Sequence, residues 1–123
     1  MAQDNSRSVL IVLRRSPYGS SLAKASLDVV FANAAFDQAV DLLFLGDGVL
    51  QLLPGQDSHI LGMKNVGRLL ASLPLYDINR VYVDAEAATR YKLDLKKAPV
   101  NTQLLGDAEM HQLMLDHDHL LGF

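Results

Sequence analysis

The sequence predicts an α/β fold: a three-layer α/β/α sandwich around a mostly parallel, five-stranded sheet. Three observations carry this expectation. Residues 8–13 (SVLIVL) and 40–45 (VDLLFL) are near-continuous apolar runs, the pattern of strands covered on both faces rather than one. Stretches with apolar residues at helical spacing separate such runs. The connections are the length of crossovers, not of hairpins, which is what parallel strands require.

Each element has its own signal. Residues 1–7 are polar and lack apolar anchors, so a flexible N-terminus is expected before a single domain over residues 8–123. After the first strand, residues 14–20 (RRSPYGS) form a loop, with Pro17 disfavouring helix at Ser16, Gly19 permitting a sharp turn, and Ser20 or Ser21 placed to cap the first helix. Leu22, Ala25, Val29, Ala32 and Phe36 then recur at helical spacing, widened by Leu27, Val30 and Phe31. The second strand leads into Gly46-Asp47-Gly48, an expected turn. Beyond it, Val49, Leu50, Leu52 and Leu53 point in too many directions on one short helical turn to share a core-facing stripe, so some of them are expected at another chain. The competing expectation for these leucines is ordinary core.

Pro54 and Gly55 stop that segment, and residues 56–59 read as a surface loop. A helix is expected over residues 63–73, with Met63, Val66, Leu69, Leu70 and Leu73 apolar, Gly67 as its weak point and Pro74 as its end. Residues 80–83 (RVYV) form the third strand, 85–91 a short helix and 93–98 a lysine-bearing connection. Residues 100–105 read as a fourth strand, Asp107 as the N-cap of a helix over 108–115, and 119–123 as a fifth strand. In sheets of this kind ligands and partner groups meet the carboxyl ends of the strands, where the 14–20 loop and the 46–48 turn should lie together.

Composition narrows the chemistry. Half of the 123 residues are hydrophobic and mean hydropathy is +0.13, which fits a subunit with a covered apolar surface. No run approaches the ~20 apolar residues of a membrane span, and the first residues lack the features of a secretory signal, so a cytoplasmic protein is expected. A net charge of -3, with Arg14-Arg15 and Lys96-Lys97 as the only basic doublets, weighs against direct nucleic-acid binding. The chain has no cysteine, and therefore no disulfide, no thiolate metal site and no thiol nucleophile of its own.

Other chemistries are thinly supported. Neither GxGxxG nor GxxxxGK[ST] occurs, so no nucleotide cofactor is expected. Asp47 reads as a turn former and cap, and Ser16, Ser20 and Ser21 lack a GxSxG elbow. His111, His117 and His119 cluster with Asp116 and Asp118 near the C-terminus, but the spacing fits no zinc motif; His59 stands alone. No catalytic, cofactor or metal residue is assigned.

The segments GDGVLQLLPGQ (46–56), SPYG (16–19), LPLYDI (73–78) and LLGF (120–123) together resemble the TusC or DsrF-like branch of the DsrE/F/H sulfur-relay proteins, over nearly the whole chain. The first of these is the most specific. The resemblance implies a DsrE/F/H-like fold, related to Rossmann and flavodoxin-like folds, and a noncatalytic subunit that is not an enzyme by itself. It implies assembly with TusB-like and TusD-like subunits as a heterohexamer, a dimer of heterotrimers, which takes persulfide sulfur from a TusA-like donor and passes it toward a TusE-like acceptor for 2-thiolation of a tRNA wobble uridine. The sulfur-carrying cysteine would belong to the TusD-like subunit, since relay proceeds by thiolate attack on sulfur. On this reading Val49, Leu50, Leu52, Leu53, Pro54, Leu75 and Tyr76 lie at or beside subunit contacts, and Ser16, Tyr18, Gly19 and Asp47 help to shape the partner's site. An interface this apolar would also let the isolated chain associate with itself. Two alternatives stay open: a DsrF-like role in sulfur oxidation, and a small-molecule-binding or hydrolytic enzyme using the Asp47 turn and the Ser16 loop.

Overall fold

Strand formation follows the apolar runs closely. The computed structural model describes residues 8–16, 22–35, 39–53 and 63–123. Strands β1 (Ser8–Leu13), β2 (Ala39–Phe44), β3 (Val81–Asp84), β4 (Gln103–Leu105) and β5 (His119–Gly122) form one sheet in the order β4-β3-β2-β1-β5. Every pairing is parallel, with Val9 opposite Val40, Leu43 opposite Tyr82, Val83 opposite Leu104 and Leu10 opposite Leu120. The helices are α1 (Leu22–Ala35), α2 (Met63–Ala71), α3 (Ala85–Arg90) and α4 (Asp107–Leu115), with short 3-10 helices over Gly46–Leu52, Leu73–Tyr76 and Leu95–Lys97. The α/β/α architecture with a five-stranded parallel sheet expected from the sequence is therefore present.

Its two faces are unequally covered. Alternation along the strands sends Val9, Ile11, Leu13, Val40, Leu42, Phe44, Val81 and Val83 to one side, where they pack with Leu27, Val30, Val49, Leu52, Leu70, Leu73, Ala87 and Ala88. The opposite side holds Leu10, Val12, Leu43 and Leu105, and α4 covers it with Met110 and Leu113. Most of the hydrophobic stabilisation therefore lies on the first side, at about 1.5–3 kcal/mol for each large side chain taken fully out of water.

Several boundaries shift for local reasons. The helix expected to reach residue 73 ends at Ala71, because Pro74 has no N–H to continue the α ladder. The chain tightens instead into the Leu73–Tyr76 3-10 helix, closed by Asp77 in the left-handed region at φ 62°. The third strand runs one residue later than expected, and the fourth begins only at Gln103, with Val100 buried ahead of it. Asp107 is not the cap of the last helix. Gly106 occupies that position, and its N–H donates to the Glu109 carboxylate at 3.0 Å, which leaves Asp107 in the first turn where its charge suits the helix dipole.

Candidate functional site at the carboxyl edge of the sheet

The first loop and the second turn meet, as the crossover pattern requires. The Leu45 N–H donates to the Leu13 carbonyl at 2.9 Å, and the Gln51 side-chain amide donates to the Arg15 carbonyl at 2.9 Å. Two glycines make this approach feasible. Gly46 turns the chain with a left-handed φ of 55°, and a Cβ on Gly48 would lie 1.9 Å from the Leu13 carbonyl oxygen. The Gly46-Asp47-Gly48 turn thus becomes the start of a 3-10 helix pressed against the end of β1.

Asp84 locks this junction. It is 8% exposed at the end of β3, and one carboxylate oxygen accepts from the Ala87 N–H at 3.3 Å while the other accepts from the Gly46 N–H at 3.1 Å. One side chain therefore caps α3 and holds the turn after β2. Sequence reading missed this residue, although an aspartate directly ahead of AEAATR is a helix-start signal.

The expected cap role of Asp47 is replaced by another contact. Its exposed carboxylate accepts a hydrogen bond from the Tyr91 hydroxyl, and no side-chain bond caps the 3-10 helix. That hydrogen bond, with desolvation and the nearby negative charge of Asp47 adding to it, raises the Tyr91 pKa above its ordinary value; Arg90, whose guanidinium carbon lies 5.3 Å from the ring centroid, opposes the shift. Tyr91 stays a neutral donor and Asp47 is engaged with it rather than with a nucleophile.

The proposed contact residues divide. Val49 is 0% and Leu52 1% exposed, so both belong to the chain's own core, the ordinary reading of such leucines. Leu50 and Leu53 are half-buried. Leu75 is 85% exposed, and Tyr76 is 47% exposed while its ring packs against Phe31 in a tilted arrangement, with centroids 4.7 Å apart and planes at 56°. Ser16 lies at the carboxyl edge; Pro54, Tyr18 and Gly19, with Ser20, Ser21, Phe36, His59 and residues 1–7, lie outside the described residues.

The C-terminal histidines do not converge. His111 and His119 are exposed, whereas the His117 ring sits between the Asp41 carboxylate at 2.7 Å and the Leu113 carbonyl at 2.8 Å. Among the described residues no group of three or more histidine and acidic side chains is arranged to hold a metal ion. A cleft of about 320 Å³ lined by Pro74, Ile78, Asn79, Ala98, Pro99, Val100 and Asn101 opens at the amino ends of β3 and β4, away from the carboxyl edge. No helix among the described residues is long and apolar enough to cross a membrane.

An all-parallel sheet with its tight turn, cysteine-free carboxyl edge and uneven helical cover defines a class of small α/β proteins, and the sequence profile of the DsrE/DsrF-like family matches residues 7–123. The chain belongs to that family. Among its relatives, a TusC homolog of Pseudomonas aeruginosa is 33% identical over 116 residues, covering 94% of this chain and 98% of that protein. The intracellular sulfur oxidation protein DsrF of Allochromatium vinosum is 47% identical over 74 residues, covering 60% of this chain and 54% of the other. The crystal structure of the ychN protein from E. coli superposes with a TM-score of 0.81 over 95% of this chain and 99% of that one, and at 21% identity this is a likeness of fold.

Proposed function

We propose that this chain is a noncatalytic subunit of a cytoplasmic sulfur-relay complex, built with TusB-like and TusD-like partners and serving tRNA wobble-uridine 2-thiolation. The carrying observation is that a full-length match to TusC homologs coincides with a chain that has no cysteine. Sulfur relay needs a thiolate to accept and release the sulfane sulfur, and no oxygen or nitrogen side chain replaces it. The covalent chemistry therefore falls to a cysteine on a partner, with this chain supplying surface.

Leu75 and Tyr76, with Leu50 and Leu53, are the residues that present that surface; the 3-10 helices that carry Leu50 and Leu75, the first followed directly by Leu53, both pack against α2. The carboxyl edge around Ser16 and Asp47 is the element set to shape the partner's cysteine site. Co-purification of tagged chain with its TusB-like and TusD-like partners, followed by native mass measurement, tests the assembly. Persulfide transfer by the cysteine-bearing partner, measured with and without this chain, tests the shaping role. Equal rates would reduce the chain to a scaffold, and recovery of the chain alone would end the reading.

A second reading is a subunit of a sulfur-oxidation complex, favoured by the 47% identity to DsrF over 74 residues. Deletion of the gene separates the two. Loss of 2-thiouridine from tRNA supports the first, and intact thiolation with impaired oxidation of stored sulfur supports the second.

A further inference from the structure

We propose that Asp41 and His117 form a proton-dependent clamp that holds the edge strand β5 on the sheet. The Nδ1 atom of His117 lies 2.8 Å from the Leu113 carbonyl oxygen, which only accepts, so Nδ1 carries a hydrogen. The Nε2 atom lies 2.7 Å from the Asp41 Oδ2 atom. A carboxylate also only accepts, so a second hydrogen must sit between Nε2 and Oδ2. A neutral imidazole and an ionised carboxylate supply one hydrogen too few, and the observed pair is satisfied only with an added proton. Both side chains are mostly shielded from water, at 6% and 15% exposure, so loss of that proton would set a ring lone pair against a carboxylate with little solvent between them.

The clamp's position gives it a consequence. Asp41 belongs to β2 and His117 follows α4 by two residues, immediately ahead of β5. All four residues of β5 are exposed, with Leu120 at 50% and Leu121 at 37%, and the apolar anchor at this end of the chain is Phe123, which packs against the main core just beyond the strand. The strand is held by its ladder to β1, by the Arg14 N–H to Phe123 carbonyl bond at its far end, and by the contacts at its start. Those contacts are the His117 pair and a reciprocal exchange in which the Ser8 N–H donates to the Asp118 carboxylate at 3.3 Å and the Asp118 N–H donates to the Ser8 hydroxyl at 3.2 Å. Among the described residues Asp41 is the charged group within ion-pair distance of the ring. The flanking acids Asp116 and Asp118 are exposed and bonded to Gln112 and Ser8, and His111 and His119 are exposed. Opening the clamp would free β5 and uncover the edge of β1 for another strand.

Amide hydrogen exchange on the full chain tests this, read as protection after correction for the intrinsic pH dependence of exchange, between about pH 6 and about pH 9. Protection of the β5 amides should fall at least about tenfold across that range, the scale of one lost hydrogen bond to a charged group, while the amides of Leu42, Leu43 and Phe44 in β2 keep theirs. In Asp41→Asn the side-chain amide can donate to a neutral Nε2, so β5 should stay protected at the higher pH. His117→Gln should remove the pH dependence by another route. Equal loss of protection in β5 and β2, or an Asp41→Asn chain with the original pH dependence, would overturn the proposal.

Discussion

Two short 3-10 helices in this molecule are rich in leucine, follow soon after a longer element and flank α2, yet they use their side chains in opposite ways. In Gly46–Leu52, Val49 and Leu52 point into the main core and Gln51 is buried with them. In Leu73–Tyr76, Leu73 is buried but Leu75 stands 85% exposed. Backbone approach explains the difference. Gly48 has no side chain to hold β1 away, so its segment sinks against the sheet ends. Pro74 instead ends a helix at the periphery, and only the first residue of that turn reaches the core. Apolar composition alone does not distinguish a core anchor from an exposed segment.

Substitutions in the two segments should separate anchor from docking surface by the size and kind of their effects. Gly48→Ala should have the largest effect, loss of cooperative thermal unfolding, because the added Cβ meets a backbone carbonyl and not a movable side chain. Leu52→Ala should next lower stability by about 2–5 kcal/mol in denaturant titration, the usual cost of emptying a fully buried leucine site. Leu75→Asp should change stability by less than about 0.5 kcal/mol, yet abolish co-purification with partner subunits. A Leu75→Asp chain that is folded and still assembles would remove this segment from the interface.

The smallest effect is expected at Tyr91. Its phenol should titrate above the ordinary tyrosine range in ultraviolet absorbance, and Asp47→Asn should bring the titration down. Because the folded-state pKa is raised, the contribution of this contact to stability is present below the unfolded-state pKa and is lost as the pH rises through the folded-state value. Exposure of the pair keeps that contribution minor.

Much of the carboxyl edge was legible from local pattern. Gly46-Asp47-Gly48 marked a tight turn, and the crossover spacing placed it beside the Arg14 loop. Asp84, Tyr91 and Gln51 were not legible in their roles. Asp84 serves two elements, and its second contact, to Gly46, lies 38 residues away in sequence. The Asp41–His117 contact spans 76 residues, and neither residue stands in a motif that announces the other. Gln51 interrupts a leucine run, and its burial with an amide bonded to the Arg15 carbonyl rests on a contact 36 residues away in sequence.

The sequence by itself determined the alternation of strand and helix, the parallel sheet that such crossovers demand, and the absence of any thiol to carry sulfur. These are consequences of periodicity, connection length and residue type, which are properties of the chain taken locally. Tertiary structure alone decided which leucines are core and which face outward, which helix covers each side of the sheet, and which acid meets which hydrogen-bond donor. Those outcomes depend on the order in which the strands pair and on how closely two backbones approach, and both are set by contacts between residues far apart in sequence.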